Sequence, residues 1–371
     1  MSDRTGSHST WVEIDLDAIE NNARLFSQRI GVELMAVVKA NAYGHGAVPA
    51  AQAARRGGAS WFGVARVEEA LELRQGGIKH PILILGYIAP AQLEVAISKE
   101  ISLTVWDEEQ IQAASQVAEE LGVDARLHIK VDTGMSRLGI QPESAFNLVK
   151  HAYNLPRVTL EGVFTHFARA DESNPRPTDA QEATFSKLVE TLQAEGLRPT
   201  YVHAANSAAG LTRPSAYFDL VRMGIALYGL HPSADCRLSP EFRPALNWKT
   251  VVSQVKTLPA GTGISYGHIY TTSAQERIGT LPVGYADGFR RLAGNQVLIN
   301  GVKVPVVGRV TMDQIMVQLD RLPQAKAGDE VVLIGQQGGA RITAEEVAET
   351  WGTINYEVVC AIGPRVPRFY L

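Results

Sequence analysis

The chain has 371 residues, of which 45% are hydrophobic and 20% are charged, and its formal net charge is −4. These values are typical of a globular protein with room for two domains, and they make nucleic acid an unfavourable partner. The polar residues 1–10 and the lack of any run of about 18 apolar residues indicate neither a signal peptide nor a membrane span, so we expect a cytoplasmic protein.

The first two thirds of the chain alternate short apolar runs with amphipathic segments. After "WVEIDL" and the amphipathic "DAIENNARLFSQRI", the apolar runs begin near Leu34, Trp61, Pro81, Ile101, Arg126, Thr159, Thr200 and Asp219. Intervening segments such as "EEQIQAASQVAEELG" have apolar residues at helical spacing and end on glycine, a common helix terminator. This alternation, with nearly continuous apolar strands, predicts a closed parallel (β/α)8 barrel. A doubly wound open sheet is the alternative, but no GxGxxG turn follows the first of these strands.

The composition changes at about Pro244. From there, β-branched runs are separated by Gly, Pro and Asn turns, including the hairpin-like "INGV", and only "TAEEVAETWG" is typical of a helix. We therefore expect a barrel domain over residues 11–243 and a mainly β domain over residues 244–371. We also expect the first strand, residues 11–15, to pack with the C-terminal domain.

Polar side chains follow the ends of five predicted barrel strands, the place where barrel enzymes hold their active sites. They are Lys39; Lys130, Asp132 and Arg137; His166; His203, Asn206 and Ser207; and Arg222. Each has a structural explanation by itself, such as a salt bridge or a buried histidine, but their shared position predicts an active site. No metal site is predicted; Cys236 and Cys360 are far apart and lack a CxxC spacing, which makes a disulfide framework and a thiolate zinc site implausible.

The loops after the last two barrel strands are typical of a phosphate site. Ser207 and the small residues after it, with "MGIALYG" after the next strand, would supply a hydroxyl and backbone N–H groups. A phosphate site facing a strand-end lysine suggests pyridoxal phosphate, whose aldehyde reacts with a lysine amine. Lys39 in "AVVKANAYGHG" is the candidate; the alternative is an ordinary lysine whose ammonium group reaches solvent.

Several motifs resemble those of the alanine racemase family, which are fold-type III pyridoxal-phosphate enzymes. They extend from about Trp11 to the end of the chain: "AVVKANAYGHG", "HIKVDTGMSRLG", "GVFTHFA", "HAANSAA", "VRMGIALYG", "GISYGHIYTT", "LPVGYADGF" and "GRVTMDQIMV". The resemblance implies an N-terminal barrel, a C-terminal β domain and pyridoxal 5'-phosphate as cofactor. It also implies a homodimer with shared active sites, and interconversion of L-alanine and D-alanine for peptidoglycan precursors.

The same resemblance implies a role for each matching residue. Lys39 would carry the cofactor and act as one catalytic base, and Tyr266 as the other, since racemisation removes a proton from one face and returns it to the opposite face. Arg222 would contact the pyridine nitrogen of the cofactor. The other residues implied to bind the cofactor are Tyr43, Arg137, His166, Asn206, Ser207, Gly224, Ile225 and Tyr356. Residues implied to contact the substrate are Arg137, Met312 and Asp313, and those implied to line the access corridor are Asp171, Tyr285, Arg290, Arg309 and Ile354.

Further details of the match bear on modification and specificity. Lys130 resembles a lysine that is carbamylated in some members, where the anion would hold Arg137. Thr311 departs from the cysteine of many members, which would lower sensitivity to thiol-directed inhibitors. The large Tyr356 favours alanine over serine as substrate.

Two alternatives to racemisation remain. One is a fold-type III amino-acid decarboxylase, which Arg222 disfavours because decarboxylases place a carboxylate opposite the ring nitrogen. The other is a non-catalytic pyridoxal-phosphate carrier, which the second domain disfavours because carriers of this type are single-domain proteins.

Overall fold

The structure, a computed structural model, describes residues 8–371 and divides into two compact units. The barrel unit comprises Asp17–Ala42 and Gly46–Arg243. The β unit comprises the described residues up to Leu16 together with Tyr43–His45 and Pro244–Leu371. In the described part of the chain, no helix combines the length and apolar character needed to cross a bilayer.

Parallel strands form the centre of the barrel unit. After β1 (Thr10–Ile14), which belongs to the β unit, they are β2 (Glu33–Val37), β3 (Trp61–Val64), β4 (Ile82–Ile84), β5 (Ser102–Val105), β6 (Ala125–Lys130), β7 (Val158–Phe164), β8 (Tyr201–His203) and β9 (Leu220–Met223). From β2 to β8 each strand pairs with the next one in the chain, and β2 pairs with β9. Backbone hydrogen bonds from Asp219 to Val202 and from Arg222 to Ala205 connect β8 with β9.

The predicted (β/α)8 barrel is therefore confirmed, and the open-sheet alternative is wrong. Each strand from β2 to β9 begins within one residue of its predicted start. The prediction succeeded because strands covered on both faces are almost continuously apolar.

Helical segments cover the barrel. They are α1 (Leu16–Ile30), α2 (Lys39–Tyr43), α3 (Ala47–Arg56), α4 (Val67–Gln75), α5 (Leu93–Ser98), α6 (Glu108–Leu121), α7 (Pro142–Asn154), α8 (Arg176–Ala194) and α9 (Ser207–Thr212). Of these, α6 and α9 have a side-chain N-cap and α2 is a single left-handed turn. Short 3-10 segments lie at Pro90–Gln92, Pro214–Ala216 and Ile225–Tyr228. In α6 the Asp107 carboxylate caps the first turn by accepting the Gln110 N–H at 2.8 Å, and Gly122 ends the helix with φ of 69°.

The β unit is mainly a mixed sheet. Its further strands are β10 (Leu246–Val251), β11 (Gln254–Leu258), β12 (Gly263–Ile264), β13 (Tyr270–Thr271), β14 (Glu276–Leu281), β15 (Gln296–Ile299), β16 (Val302–Val307), β17 (Ile315–Gln318), β18 (Glu330–Gln337), β19 (Ala340–Ile342) and β20 (Arg368–Tyr370). The order in the sheet is β11-β14-β17-β16-β15-β18-β10-β1-β20, with β19 on β18. β1 pairs antiparallel with β10 and parallel with β20.

Local signals in the β unit gave the expected elements. Asn300 and Gly301 join β15 to β16 with φ of 50° and 76°, the positive values that a tight hairpin turn requires. The predicted late helix is α10 (Ala344–Trp351), capped by Thr343 and followed by α11 (Asn355–Cys360). The 3-10 segments Tyr266–His268 and Tyr285–Asp287 lie in loops of the β unit.

Candidate active site

The turn after β2 places Lys39 by means of an unusual backbone. Residues 40–43 all have φ between 52° and 54°, a left-handed conformation that costs an L-residue about 1–2 kcal/mol. Two hydrogen bonds stabilise this turn. The Ala40 N–H donates to Glu69 Oε1 at 2.6 Å, and the Asn41 side-chain oxygen accepts the Ala47 N–H at 2.8 Å. The turn therefore keeps the half-buried Lys39 at the carboxyl end of β2.

Four of the predicted strand-end residues, Lys39, Lys130, Arg137 and Arg222, form a cluster of positive charge. Lys130, which is 5% exposed, interacts electrostatically with Arg137, Arg222 and Lys39. Burial and these neighbouring cations lower the pKa of Lys130 to about 8. Asp132 lies nearby, but its Oδ1 accepts the N–H groups of residues 134–136 at 3.0 Å and so orders the loop that leads to Arg137. Such a cluster attracts an anion.

Arg222 is held in the barrel by acceptors on several strands and loops. Its Nη1 donates to His203 Nδ1 at 2.8 Å, and its Nη2 donates to the carbonyls of Thr165 and Ala204 at 2.8 Å and to His166 Nδ1 at 3.1 Å. The side chain is 3% exposed, and burial lowers its pKa to about 9. The guanidinium therefore remains charged at neutral pH, and these contacts offset the cost of burying it.

His166 and His203 are neutral acceptors toward this arginine. A guanidinium can only donate, so each imidazole must accept through Nδ1 and carry its proton on Nε2. Burial, followed by the positive charge of Arg222, holds the pKa of both histidines well below its ordinary value. His166 therefore offers an Nε2–H donor beside the cationic cluster.

The loops after β8 and β9 meet at Ser207. The Ser207 hydroxyl accepts the N–H of Gly224 at 2.8 Å and that of Ala226 at 3.4 Å. Because the Ser207 oxygen is the acceptor in both hydrogen bonds, its own O–H group can donate a hydrogen bond to a ligand. Asn206 supports the serine by capping α9, where its Oδ1 accepts the Ala209 N–H at 3.0 Å. Ile225 follows Gly224 as the first residue of the adjacent 3-10 segment.

In the β unit, Tyr43 lies near Tyr356. Their ring centroids are 6.1 Å apart. Burial raises the pKa of Tyr43, as does the proximity of Tyr356, so its phenol stays protonated and can donate a hydrogen bond. The backbone at the neighbouring Gly44 lies close to α11, because an added Cβ would be 2.4 Å from the Val359 carbonyl oxygen.

Tyr266 lies on an exposed turn with positive φ angles. Ser265, Gly267 and His268 have φ of 60°, 71° and 45°. The Ser265 hydroxyl donates to the Arg309 carbonyl at 2.7 Å and fixes the turn to the next loop. This conformation leaves Tyr266 69% exposed within its chain.

The segment 311–313 packs against the loop that contains Tyr285. The Tyr285 N–H donates to the carbonyl of Thr311 at 3.0 Å. Arg365 links the same two loops, with Nε 2.6 Å from Asp287 Oδ1 and Nη2 2.6 Å from Asp313 Oδ1. Asp313 is thus held by a neighbour that the sequence analysis did not identify, since Arg365 lies far away in the chain.

The residues predicted for the access corridor are distributed between the two units. Asp171 belongs to the barrel unit, and Tyr285, Arg290, Arg309 and Ile354 to the β unit. Arg290 forms an ion pair with Glu357, and its guanidinium lies 5.5 Å from the Trp351 ring centroid. Ile354 is 59% exposed.

Sequence reasoning also missed His128 and Glu161, which lie below the cationic cluster in the barrel. His128 precedes Lys130 by two residues and so shares its face of β6, a signal that strand periodicity could have provided. Glu161 interrupts the apolar run of β7, but nothing in the sequence indicates which strand its carboxylate faces.

The fold and these residues define a class of protein, a (β/α)8 barrel with a mainly β second unit and a cation-rich site at the strand ends. A family model described as "Alanine racemase, N-terminal domain" matches residues 14–232, and one described as "Alanine racemase, C-terminal domain" matches residues 245–370. The chain therefore belongs to the alanine racemase family, as its motifs predicted.

Individual relatives agree with the family models. An alanine racemase of Symbiobacterium thermophilum is 50% identical over 373 residues, covering 99% of this chain and 98% of that protein. The alanine racemase from Streptomyces coelicolor A3(2) superposes with a TM-score of 0.94 at 39% identity, covering 100% of both chains. The crystal structure of alanine racemase from Bacillus anthracis with bound L-Ala-P gives 0.93 at 44% identity, covering 98% of this chain and 95% of that one.

Proposed function

We propose that this chain is a pyridoxal-phosphate-dependent enzyme that interconverts L-alanine and D-alanine and so supplies D-alanine for peptidoglycan. Membership of the alanine racemase family supports the reaction. The observation that carries the proposal is the buried Arg222, charged and fixed by four acceptors in the cationic cluster that also contains Lys39. We include a cytoplasmic location in the proposal, on the basis of the family.

The donor set of the site fits pyridoxal 5'-phosphate. The phosphate of the cofactor requires amide and hydroxyl donors, and its phenolic oxygen requires a cation. Its aldehyde requires an amine, and its ring nitrogen requires a further hydrogen-bond donor. Ser207, Gly224 and Ile225 would hold the phosphate, with the phenols of Tyr43 and Tyr356 as further donors. Lys39 would bind the aldehyde carbon, Arg137 would contact the phenolic oxygen, and Arg222 would donate to the ring nitrogen. His166 and Asn206 would complete the site from the neighbouring loops.

Racemisation requires acid–base groups on both faces of the α-carbon. When bound, pyridoxal phosphate supplies the electron sink that makes the α-proton of an amino acid removable. In each direction, one of Lys39 and Tyr266 would remove the α-proton from its own face, and the other would donate a proton to the opposite face. Arg137, Met312 and Asp313 would contact the substrate, whose access would be lined by Asp171, Tyr285, Arg290, Arg309 and Ile354.

Arg222 favours racemisation over the decarboxylase alternative. An arginine donates a hydrogen bond to the ring nitrogen without giving up its proton, so the ring remains a weaker electron sink than one paired with a carboxylate. Return of the proton to the substrate α-carbon is then favoured. Acceptors on several elements fix the guanidinium in place. Another residue would therefore have difficulty in replacing Arg222 as the donor to the ring nitrogen.

Lys130 supports a further part of the proposal, its carbamylation. Only a neutral amine reacts with carbon dioxide, and the lowered pKa of about 8 increases the neutral fraction near neutral pH. The resulting carbamate would be an anion among Arg137, Arg222 and Lys39, where it would reduce their mutual repulsion and hold Arg137.

A homodimer with shared active sites completes the proposal. The β unit exposes large apolar side chains: Tyr266, Ile269, Tyr285, Met312 and Ile354. We propose that these side chains form part of a contact surface, since a contiguous apolar patch is typical of one. Covering them with a second subunit would bring Tyr266 and Met312 of one chain to the site of the other. The functional division we propose is a barrel domain over residues 11–243, whose first strand packs with the C-terminal strands, and a β domain over residues 244–371.

The test is racemisation in heavy water. The wild-type protein with pyridoxal phosphate should convert L-alanine into deuterated D-alanine, measured by NMR of the α-proton and by chiral chromatography. Tyr266→Phe should lower kcat by about 100-fold or more in both directions, because it removes one acid–base group. Tyr153→Phe, an exposed tyrosine on α7, is the matched control and should leave kcat unchanged. Release of carbon dioxide, or no exchange by the wild type, would refute the proposal.

A further inference from the structure

A line of polar contacts runs through the barrel interior away from Arg222. Arg222 Nη1 lies 2.8 Å from His203 Nδ1, and His203 Nε2 lies 3.0 Å from His128 Nδ1. His128 Nε2 faces Glu161 Oε2 at 3.6 Å, and the same oxygen accepts the Ser102 hydroxyl proton at 2.6 Å. The line therefore connects β9, β8, β6, β7 and β5, and it ends at a carboxylate.

The donors in this line can point in one direction only. Because Arg222 must donate, His203 accepts at Nδ1 and carries its proton on Nε2, which donates to His128 Nδ1. His128 then carries its own proton on Nε2, directed at Glu161. Burial lowers the pKa of His128, although Glu161 partly opposes this, so the ring is neutral. Burial acts against ionisation of Glu161, but the His128 ring 3.6 Å away and the hydrogen bond from Ser102 lower its pKa, so it is a carboxylate.

Gly162 leaves space for the His128 ring, and aromatic side chains enclose both histidines away from water. A Cβ on Gly162 would lie 2.2 Å from His128 Nδ1, so a side chain there would displace the imidazole. Phe164 stacks on His203 with centroids 4.6 Å apart, and the Trp61 ring meets His128 edge-on at 5.4 Å. Barrel interiors are usually filled by branched apolar residues, and buried polar groups cost stability unless they are paired. Neutral imidazoles that are this well enclosed indicate a role in the site above them.

We propose that Glu161, through His128 and His203, positions Arg222. The carboxylate faces the Nε2–H of His128 and so stabilises the same tautomers that Arg222 requires, in which His203 presents a bare Nδ1 to the guanidinium. Its negative charge also polarises the two rings in sequence and strengthens the last hydrogen bond, as coupled hydrogen bonds in a medium of low dielectric do. This inference rests on the proposed function only in assigning a reaction to Arg222; the line of contacts is independent of it.

Histidine NMR of the holoenzyme tests the line directly. In protein labelled with 15N-histidine, we expect neutral Nε2–H tautomers for both His203 and His128. Glu161→Gln keeps the size and the acceptor oxygen but removes the charge, so it should shift the ring nitrogens of His203, two contacts away. It should also lower kcat for racemisation by about 10-fold, the effect typical of a lost supporting contact, with a smaller change in KM.

Two further variants sharpen the test. Glu100→Gln is the matched control, because Glu100 lies 3.7 Å from Arg126, the arginine that also contacts Glu161, but lies outside the line. It should change neither the His203 resonances nor kcat. Ser102→Ala removes a donor to Glu161 and leaves the carboxylate more basic, so it should shift the His203 resonances in the direction opposite to Glu161→Gln. This variant keeps the test decisive if Glu161→Gln does not fold.

Three results would overturn the inference. They are an Nδ1–H tautomer on either histidine, His203 resonances that move in neither Glu161→Gln nor Ser102→Ala, and a fall in kcat without such a movement. A wild-type protein that shows the expected tautomers but does not racemise alanine would refute the proposed function and leave the positioning of Arg222 intact.

Discussion

At the scale of single residues, buried cations determine the chemistry of the strand-end site. Lys130 and Arg222 are 5% and 3% exposed, and burial lowers the pKa of each. The consequences differ, because Arg222 faces fixed acceptors, whereas Lys130 faces further cations. The lysine is therefore the group that can lose its charge near neutral pH, and the arginine is the group that keeps it.

The lowered pKa of Lys130 makes stability depend on pH in a defined direction. The folded protein releases this proton at about pH 8, whereas the unfolded chain holds it up to about pH 10.5. Within that window the unfolded state binds more protons, so stability rises with pH. In buffer free of carbon dioxide, the free energy of unfolding of the wild type should rise between pH 8 and 10.5 relative to that of Lys130→Met. Urea titrations of both proteins measure it, and a flat or falling difference would contradict the prediction.

At the scale of elements, the left-handed turn after β2 was not predicted. The sequence places turn-forming residues there, but it contains no signal for four successive residues with φ near 53°. Hydrogen bonds accepted by Glu69 of α4 and by the Asn41 side chain, from Ala40 and from Ala47 of α3, stabilise this strained conformation. In contrast, the barrel strands and the Asn300-Gly301 hairpin were predicted because their signals are local.

Relief of this strain should be measurable. Ala40 is exposed, so Ala40→Gly removes the cost of the left-handed conformation without creating a cavity. The gain is reduced because glycine gives the unfolded chain more freedom, which leaves a net stabilisation of about 0.5–1 kcal/mol. Ala183→Gly, at an exposed position inside α8, is the control and should destabilise by about 1 kcal/mol. Urea denaturation compares them, and a loss of stability in both would contradict the prediction.

At the scale of the whole molecule, the two proposed acid–base groups lie in different units. Lys39 belongs to the barrel unit and Tyr266 to the β unit. The exposed Tyr266 and its apolar neighbours are what a shared site between two subunits requires. The proposed dimer would therefore be a condition for activity and would contribute more than stability.

Mixing two inactive variants tests the shared site. Lys39→Ala and Tyr266→Phe each damage both sites of a homodimer, but a mixed dimer would contain one site with both intact groups. Random exchange of subunits makes about half of the dimers mixed, so about a quarter of the wild-type activity should return. Mixing Lys39→Ala with the double variant should restore none. Failure to recover activity, when native mass spectrometry shows mixed dimers, would contradict the shared site.

By itself, the sequence determined the order of strands and helices, the change of composition at Pro244 and the strand ends that carry polar residues. These features depend on local periodicity and on the rule that parallel strands end on one face of a barrel. The tertiary structure alone decided the handedness of the turn at Lys39, the link from Arg365 to Asp313 and the line from Arg222 through His203 and His128 to Glu161. These depend on which side chains meet across strands and loops far apart in the chain, and on burial, which sets the charge of each group once they meet.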